Sequence, residues 1–172
     1  RDLLPRLTRF SYGRMRRNLT LANSDFTARR VRALHGVEAL TVYPPVAGEF
    51  PDVSWQQREN GFVCIGRISP EKRLVEIIDV LSRVRSRGHA VHLHIIGSDD
   101  DRRYTAEVRR LAAAHADWVE MNENVSRAVL ADCVSRHRYG IHAMHDAPFG
   151  MAVAEMRCGG CVPFVSDSGG QV

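Results

Sequence analysis

Two short stretches of this chain gather groups that hold phosphate. The first is Gly66-Arg67-Ile68-Ser69-Pro70-Glu71-Lys72. Gly66 lets a ligand approach the backbone closely. Arg67 can fork onto two phosphate oxygens, and Lys72 supplies a mobile point charge. Lys72 is the sole lysine among 172 residues. A helix expected to open at Pro70 adds the positive end of its dipole. The second stretch runs from His145 through Asp146, Ala147, Pro148, Phe149, Gly150 and Met151 to Glu155. A Pro-Phe-Gly turn precedes a helix there, and the N–H groups of Gly150 and Met151 can receive phosphate. Glu155, just over one turn further on, can accept two hydrogen bonds from a ribose diol. The two stretches together suit a diphosphate.

Other reactive types carry less. Asp99-Asp100-Asp101 contains a DxD that could hold a divalent ion against a diphosphate, but Arg102 and Arg103 beside it suit a plain acidic loop. Cys158-Gly159-Gly160-Cys161 is formally a CxxC. It follows a helical stretch, so the dipole raises rather than lowers its thiol pKa, against the redox pattern. Small residues at a crowded helix-to-strand turn explain it better. His92 and His94 lie two apart in a strand-like run, and the sequence offers nothing obvious to complete a site around them.

The elements that must position these groups follow from periodicity. Leu3 to Arg17 carries helix-spaced apolar residues, Leu19–Ala22 is a short strand candidate, and Ser24 can cap a helix over 25–34 that Gly36 ends. Pro44-Pro45 closes an extended Thr41–Tyr43. The polar stretch 47–60 reads as a linker and domain boundary. Beyond Gly61 the pattern is regular. Strands are expected at 62–65, 91–96, 118–121, 139–142 and 162–165, with helices at 70–84, 104–115, 126–134 and 150–158 between them. This alternation predicts an α/β, Rossmann-like, doubly wound parallel sheet, with ligands at the carboxyl ends of its strands. Such a domain normally closes with further elements, so the chain reads as truncated.

The pieces "GRISPEKR", "PFGMAVAEM…G" and "PFVSDSGGQ", in that order, resemble the C-terminal domain of family 4 (group 1) glycosyltransferases. "NSDFTA" and "VYPPV" resemble the tail of that family's N-terminal domain and its crossover. The resemblance implies a GT-B fold, with residues 1–50 as that tail and residues 51–172 as an incomplete nucleotide-sugar-binding domain. It implies retaining transfer of a sugar from a nucleoside-diphosphate donor to a glycan or lipid-linked acceptor, without a catalytic metal. Carried over by position, Arg67 and Lys72 neutralise the leaving diphosphate, and Gly66, Phe149, Gly150 and Met151 line the donor. Glu155 holds the ribose, and the Met121–Val125 loop, with Met121, Asn124 and Val125, lies near the base. One position departs from the family pattern. Its first motif glutamate falls on Ala147, and Asp146 beside it is the candidate substitute in catalysis. A non-catalytic nucleotide-sugar-binding module, or a related epimerase or hydrolase, stays open as an alternative.

Composition narrows the classes. Hydrophobic residues make up 44% and charged residues 26%, the balance of a globular domain that can bury its own core. The net charge is +4. Basic residues crowd the first thirty-two positions, among them Arg14, Arg16, Arg17, Arg29 and Arg30, and could meet an anionic membrane surface. Few aromatics interleave with them, which disfavours a nucleic-acid groove. No apolar run is long enough to cross a bilayer, and the first residues lack a signal-peptide core, so a cytoplasmic location is expected.

Overall fold

The computed structural model describes residues 11–172. Most of the helix expected over Leu3–Arg17 lies outside the described residues, and within them Tyr12–Met15 forms one turn, α1. Strand β1 (Leu21–Ala22) pairs in parallel with β2 (Leu40–Thr41), bridged by helix α2 (Asp25–His35). Ser24 caps α2 by accepting a hydrogen bond from the Thr27 N–H, and Gly36 ends it in the left-handed conformation.

The main sheet has five strands in the order β5-β4-β3-β6-β7, all parallel: β3 (Glu59–Ile65), β4 (His92–Gly97), β5 (Val119–Glu123), β6 (His137–His142) and β7 (Val162–Val165). Central strand β3 is buried on both sides through Phe62, Val63, Cys64 and Ile65, as expected where helices cover both faces. Phe62, Cys64, Leu93, Ile95 and Val119 pack under helices α3 (Leu74–Ser86) and α4 (Arg102–Ala114). Val63, Ile65 and Ile96 face helices α5 (Arg127–Arg136) and α6 (Met151–Cys158) on the other side. Strand β7 is an edge, where Pro163 is tolerated and Phe164 remains half exposed. The order turns around between β3 and β6, and the crevice beyond their carboxyl ends is where open α/β sheets take ligands.

Two expectations shift. Strand β3 begins three residues before Phe62, at Glu59, inside the stretch read as linker. The helix expected from Pro70 is broken. A 3-10 turn spans Pro70–Lys72, Arg73 takes a left-handed φ of 54°, and the α-helix starts only at Leu74. The dipole of α3 therefore begins beyond Lys72 rather than before it.

Candidate functional site

The crevice between β3 and β6 is built from the ends of both strands. The chain leaves β3 at Gly66, whose φ of 139° suits glycine alone. Gly97 ends β4 so close to it that a Cβ there would overlap the Gly66 carbonyl oxygen. The 3-10 turn then returns Lys72 over the sheet. Its Nζ lies 3.4 Å from His142 Nε2, at the end of β6, and 3.5 Å from Met144 Sδ. His142 Nδ1 is 2.7 Å from Gln171 Oε1, so Nδ1 carries the proton and Nε2 accepts from Lys72. The Gln171 amide is anchored by donating to the carbonyls of Met144 and Ser166, at 3.0 and 3.2 Å. Burial lowers the pKa of Lys72 below the ordinary lysine value. Burial, and then the Lys72 charge, lower that of His142 below the ordinary imidazole value. The result is a half-buried cation on a neutral, oriented imidazole.

Gly150 brings the second stretch to the same place. It caps α6 with φ 89°, and the side chain of Gln171 leaves no more than 2.9 Å for a Cβ there. Among the described residues no side chain caps this helix start, which leaves its first N–H groups for a ligand. Gln171 thus links Lys72, through His142, to Gly150.

Beside this point, Gly66, Arg67, Ile96, Gly97, Ser98, Asn124, Val125 and Leu130 line a hollow of about 520 Å³ at the carboxyl ends of β3, β4 and β5. Asn124 and Val125 sit on its wall. Asn124 adopts φ 54°, and its N–H donates to the Gly97 carbonyl at 2.9 Å.

Other residues lie elsewhere than expected. Met121 is not in the loop: it belongs to β5, paired with Ile95, and packs with the α3–α4 core. The strand runs two residues further than the sequence pattern indicated, so side-chain alternation turns Met121 away from the hollow. Arg67 turns outward to Asp100 at 2.9 Å and Glu71 at 3.5 Å, rather than towards α6. Glu155 does not line the hollow, because it is ion-paired to Arg127, which also donates to the Ala47 carbonyl. Asp146 faces Arg30 at 3.3 Å, and Phe149 packs on Tyr43 with ring centroids 5.9 Å apart. Both belong to a seam with the β1–α2–β2 unit. Ser24 donates to the Pro148 carbonyl in that seam, and the Thr27 hydroxyl donates to it at 3.2 Å. Ala147 is buried beneath Gly169, where a Cβ would lie 2.6 Å from the Ala147 backbone.

The acidic loop is committed to structure. Asp100 holds Arg67, Asp99 accepts from the Thr105 hydroxyl at 2.8 Å, and Asp101 caps α4. The CxxC is split, with Cys161 buried and Cys158 exposed. His92 and His94, expected to stand alone, meet Glu59 and His137 across three strands. His142 and Gln171 were missed as site residues. Gln171 stood inside a recognisable motif, but only the return of the chain after β7 shows what it touches.

A parallel α/β domain with helices on both faces and its topological switch point between β3 and β6 is Rossmann-like, of GT-B type. The chain belongs to the group 1 glycosyl transferases, whose family model matches residues 48–172. It is 28% identical over 171 residues to the GDP-Man:Man(3)GlcNAc(2)-PP-Dol alpha-1,2-mannosyltransferase of Candida glabrata, covering 89% of this chain and 34% of that protein. The Mus musculus protein of the same name is 27% identical over 170 residues, covering 89% and 35%. The chain thus spans about a third of the length of these curated relatives. Among solved structures it resembles a glycosyltransferase from Rickettsia africae, with TM-score 0.70, 12% identity, and coverage of 91% of this chain and 46% of that one. It also resembles Anabaena HepE in complex with UDP and glucose, with TM-score 0.68, 18% identity, and coverage of 95% and 51%. At these identities the structural likenesses speak for the fold.

Proposed function

We propose that this chain is the donor-binding half of a retaining, metal-independent glycosyltransferase that takes a nucleoside-diphosphate sugar, with GDP-mannose the favoured donor. Residues 1–50 are, on this reading, the tail of an acceptor-binding N-terminal domain. The observation that carries it is Lys72, half buried at the switch point with its Nζ 3.4 Å from His142, whose partner Gln171 packs against Gly150 at the start of α6. Breaking the anomeric carbon–oxygen bond leaves negative charge on the departing diphosphate. A preorganised ammonium and the N–H groups of Gly150 and Met151 stabilise that charge where it develops. The carboxyl-end hollow is large enough for a nucleoside, and Asn124 lies on its wall.

The curated relatives are named for GDP-mannose and a dolichol-linked glycan, which supports a mannose donor and a lipid-linked acceptor. A lipid-linked acceptor and the basic early segment support a cytoplasmic protein that works against a membrane surface. The three aspartates at 99–101 are engaged by Arg67, Thr105 and the start of α4, which supports transfer without a metal there.

Isothermal titration of the full chain with GDP, UDP and ADP, with and without chelator, tests donor choice and metal dependence together. GDP should bind most tightly and be indifferent to chelator. Product analysis of the full-length enzyme with GDP-mannose and a lipid-linked mannosyl acceptor then separates transfer from hydrolysis. Tighter binding of UDP overturns the donor assignment. Binding without any turnover overturns the enzyme in favour of a binding module.

A further inference from the structure

The end of the sheet remote from the donor crevice carries a second cluster. Glu59 opens β3, His92 and His94 lie early in β4, and His137 opens β6. The register places Glu59 opposite His137 and Gly61 opposite His92, so three neighbouring strands bring these side chains to one point. That point lies about 20 Å from the carboxyl end of β3, at about 3.3 Å per residue. Donor atoms of all four residues fall within 4.8 Å of one another.

We propose that Glu59, His92, His94 and His137 form a binding site for a divalent transition metal of the zinc class at the amino ends of β3, β4 and β6. The distances fit such an ion. His92 Nε2 is 3.1 Å from Glu59 Oε2 and 3.2 Å from His137 Nε2, and His137 Nε2 is 3.9 Å from Glu59 Oε2. A point equidistant from these three atoms lies about 2.0 Å from each, the length of a zinc–nitrogen or zinc–carboxylate bond. The ring of His94 stands next to that of His137, with centroids 4.6 Å apart, in position to supply a fourth ligand.

The surroundings of His137 are those of a ligand. It is fully buried, and its Nδ1 lies 2.7 Å from the Cys133 carbonyl. Nδ1 therefore donates to that carbonyl, and the lone pair of Nε2 is left facing Glu59 and His92. Metal-bound histidines are held this way through the ring nitrogen that does not bind the metal. Three neutral imidazoles and one carboxylate match zinc, cobalt or nickel, and not the all-oxygen preference of magnesium or calcium. Glu59, His92 and His94 also border an open groove of about 710 Å³, so an ion bound there is within reach of a soluble chelator.

The test uses the full chain, stripped with chelator and titrated with Zn²⁺ against a chromophoric competitor. One equivalent should bind and raise the thermal midpoint. Affinity should drop at least about 10-fold in His92→Ala and in Glu59→Gln, since even outer-shell partners of a metal site are worth 10- to 100-fold. It should be unchanged in His89→Ala, which removes an exposed histidine outside the cluster. A second reading needs no substitution. Co²⁺ on the native protein should give the visible bands of a tetrahedral nitrogen–oxygen site without a thiolate charge-transfer band. That spectrum separates the cluster from the chain's cysteines. Absence of saturable binding overturns the proposal. So does a thiolate band, or Zn²⁺ affinity that is the same in His92→Ala and Glu59→Gln as in the native protein.

Discussion

Lys72→Met removes the ammonium and keeps most of the stem that fills the gap between β3 and β6. In the native state the charge is half buried, and its near partners are His142 Nε2 at 3.4 Å and Met144 Sδ at 3.5 Å, neither of them a carboxylate. Burial dominates the lowering of its pKa, so the folded protein holds this proton less tightly than the unfolded chain does. The charge therefore costs native stability below the folded pKa, and the cost vanishes above the unfolded value. Substituting Met should leave the thermal midpoint level or raise it. Turnover should move the other way. Losing one preorganised stabiliser of a developing anion costs about 2.7–4 kcal/mol of barrier, or 10²- to 10³-fold in kcat. The assay pairs initial rates of mannosyl transfer by the full-length enzyme with thermal unfolding of the same preparation. Turnover within about 3-fold of the native rate, at an unchanged midpoint, refutes the leaving-group role. A fall in both together means that Lys72 acts on the fold.

Two further outcomes follow from the same crevice. His142 is held below the ordinary imidazole value by burial and by Lys72, so the unfolded state binds more protons just below that value and stability falls as pH drops through this range. A bound diphosphate offsets the charge and favours protonation, so titration with GDP near pH 6.5 should show proton uptake that His142→Gln abolishes. Equal proton uptake in the variant refutes this. Gly97→Ala would drive a Cβ into the Gly66 carbonyl, a backbone clash that no rotamer relieves. It should cost about 1–3 kcal/mol in urea unfolding and weaken nucleotide binding, and a native midpoint would show that the strand ends can part.

The alternation of apolar runs with amphipathic stretches was enough to read every strand of the main sheet and its parallel character, though not the strand order. The positions of Lys72 and Gly150 near one crevice followed from the same rule. What escaped was anything fixed by backbone exceptions or by register. Arg73 is an ordinary residue in a helix-like run, and no local signal marks its left-handed turn. Met121 continues a strand whose end is blurred by the polar residues Asn122 and Glu123. Glu155 and Asp146 have the right types at the right spacing, but their partners Arg127 and Arg30 come from distant elements. The histidine cluster is the clearest case. His92 and His94 share a face by simple alternation, whereas Glu59 and His137 reach them only through the pairing of β3 with β4 and β6.

The seam at Pro148 sets a timing problem for synthesis. Ser24 contacts a carbonyl 124 residues further along the chain. At about 5–20 residues per second, that partner leaves the ribosome roughly 6–25 s after Ser24 does. Throughout that interval the early strands wait with Leu19, Leu21 and Leu40 open to water, and these stay largely uncovered even when the chain is folded.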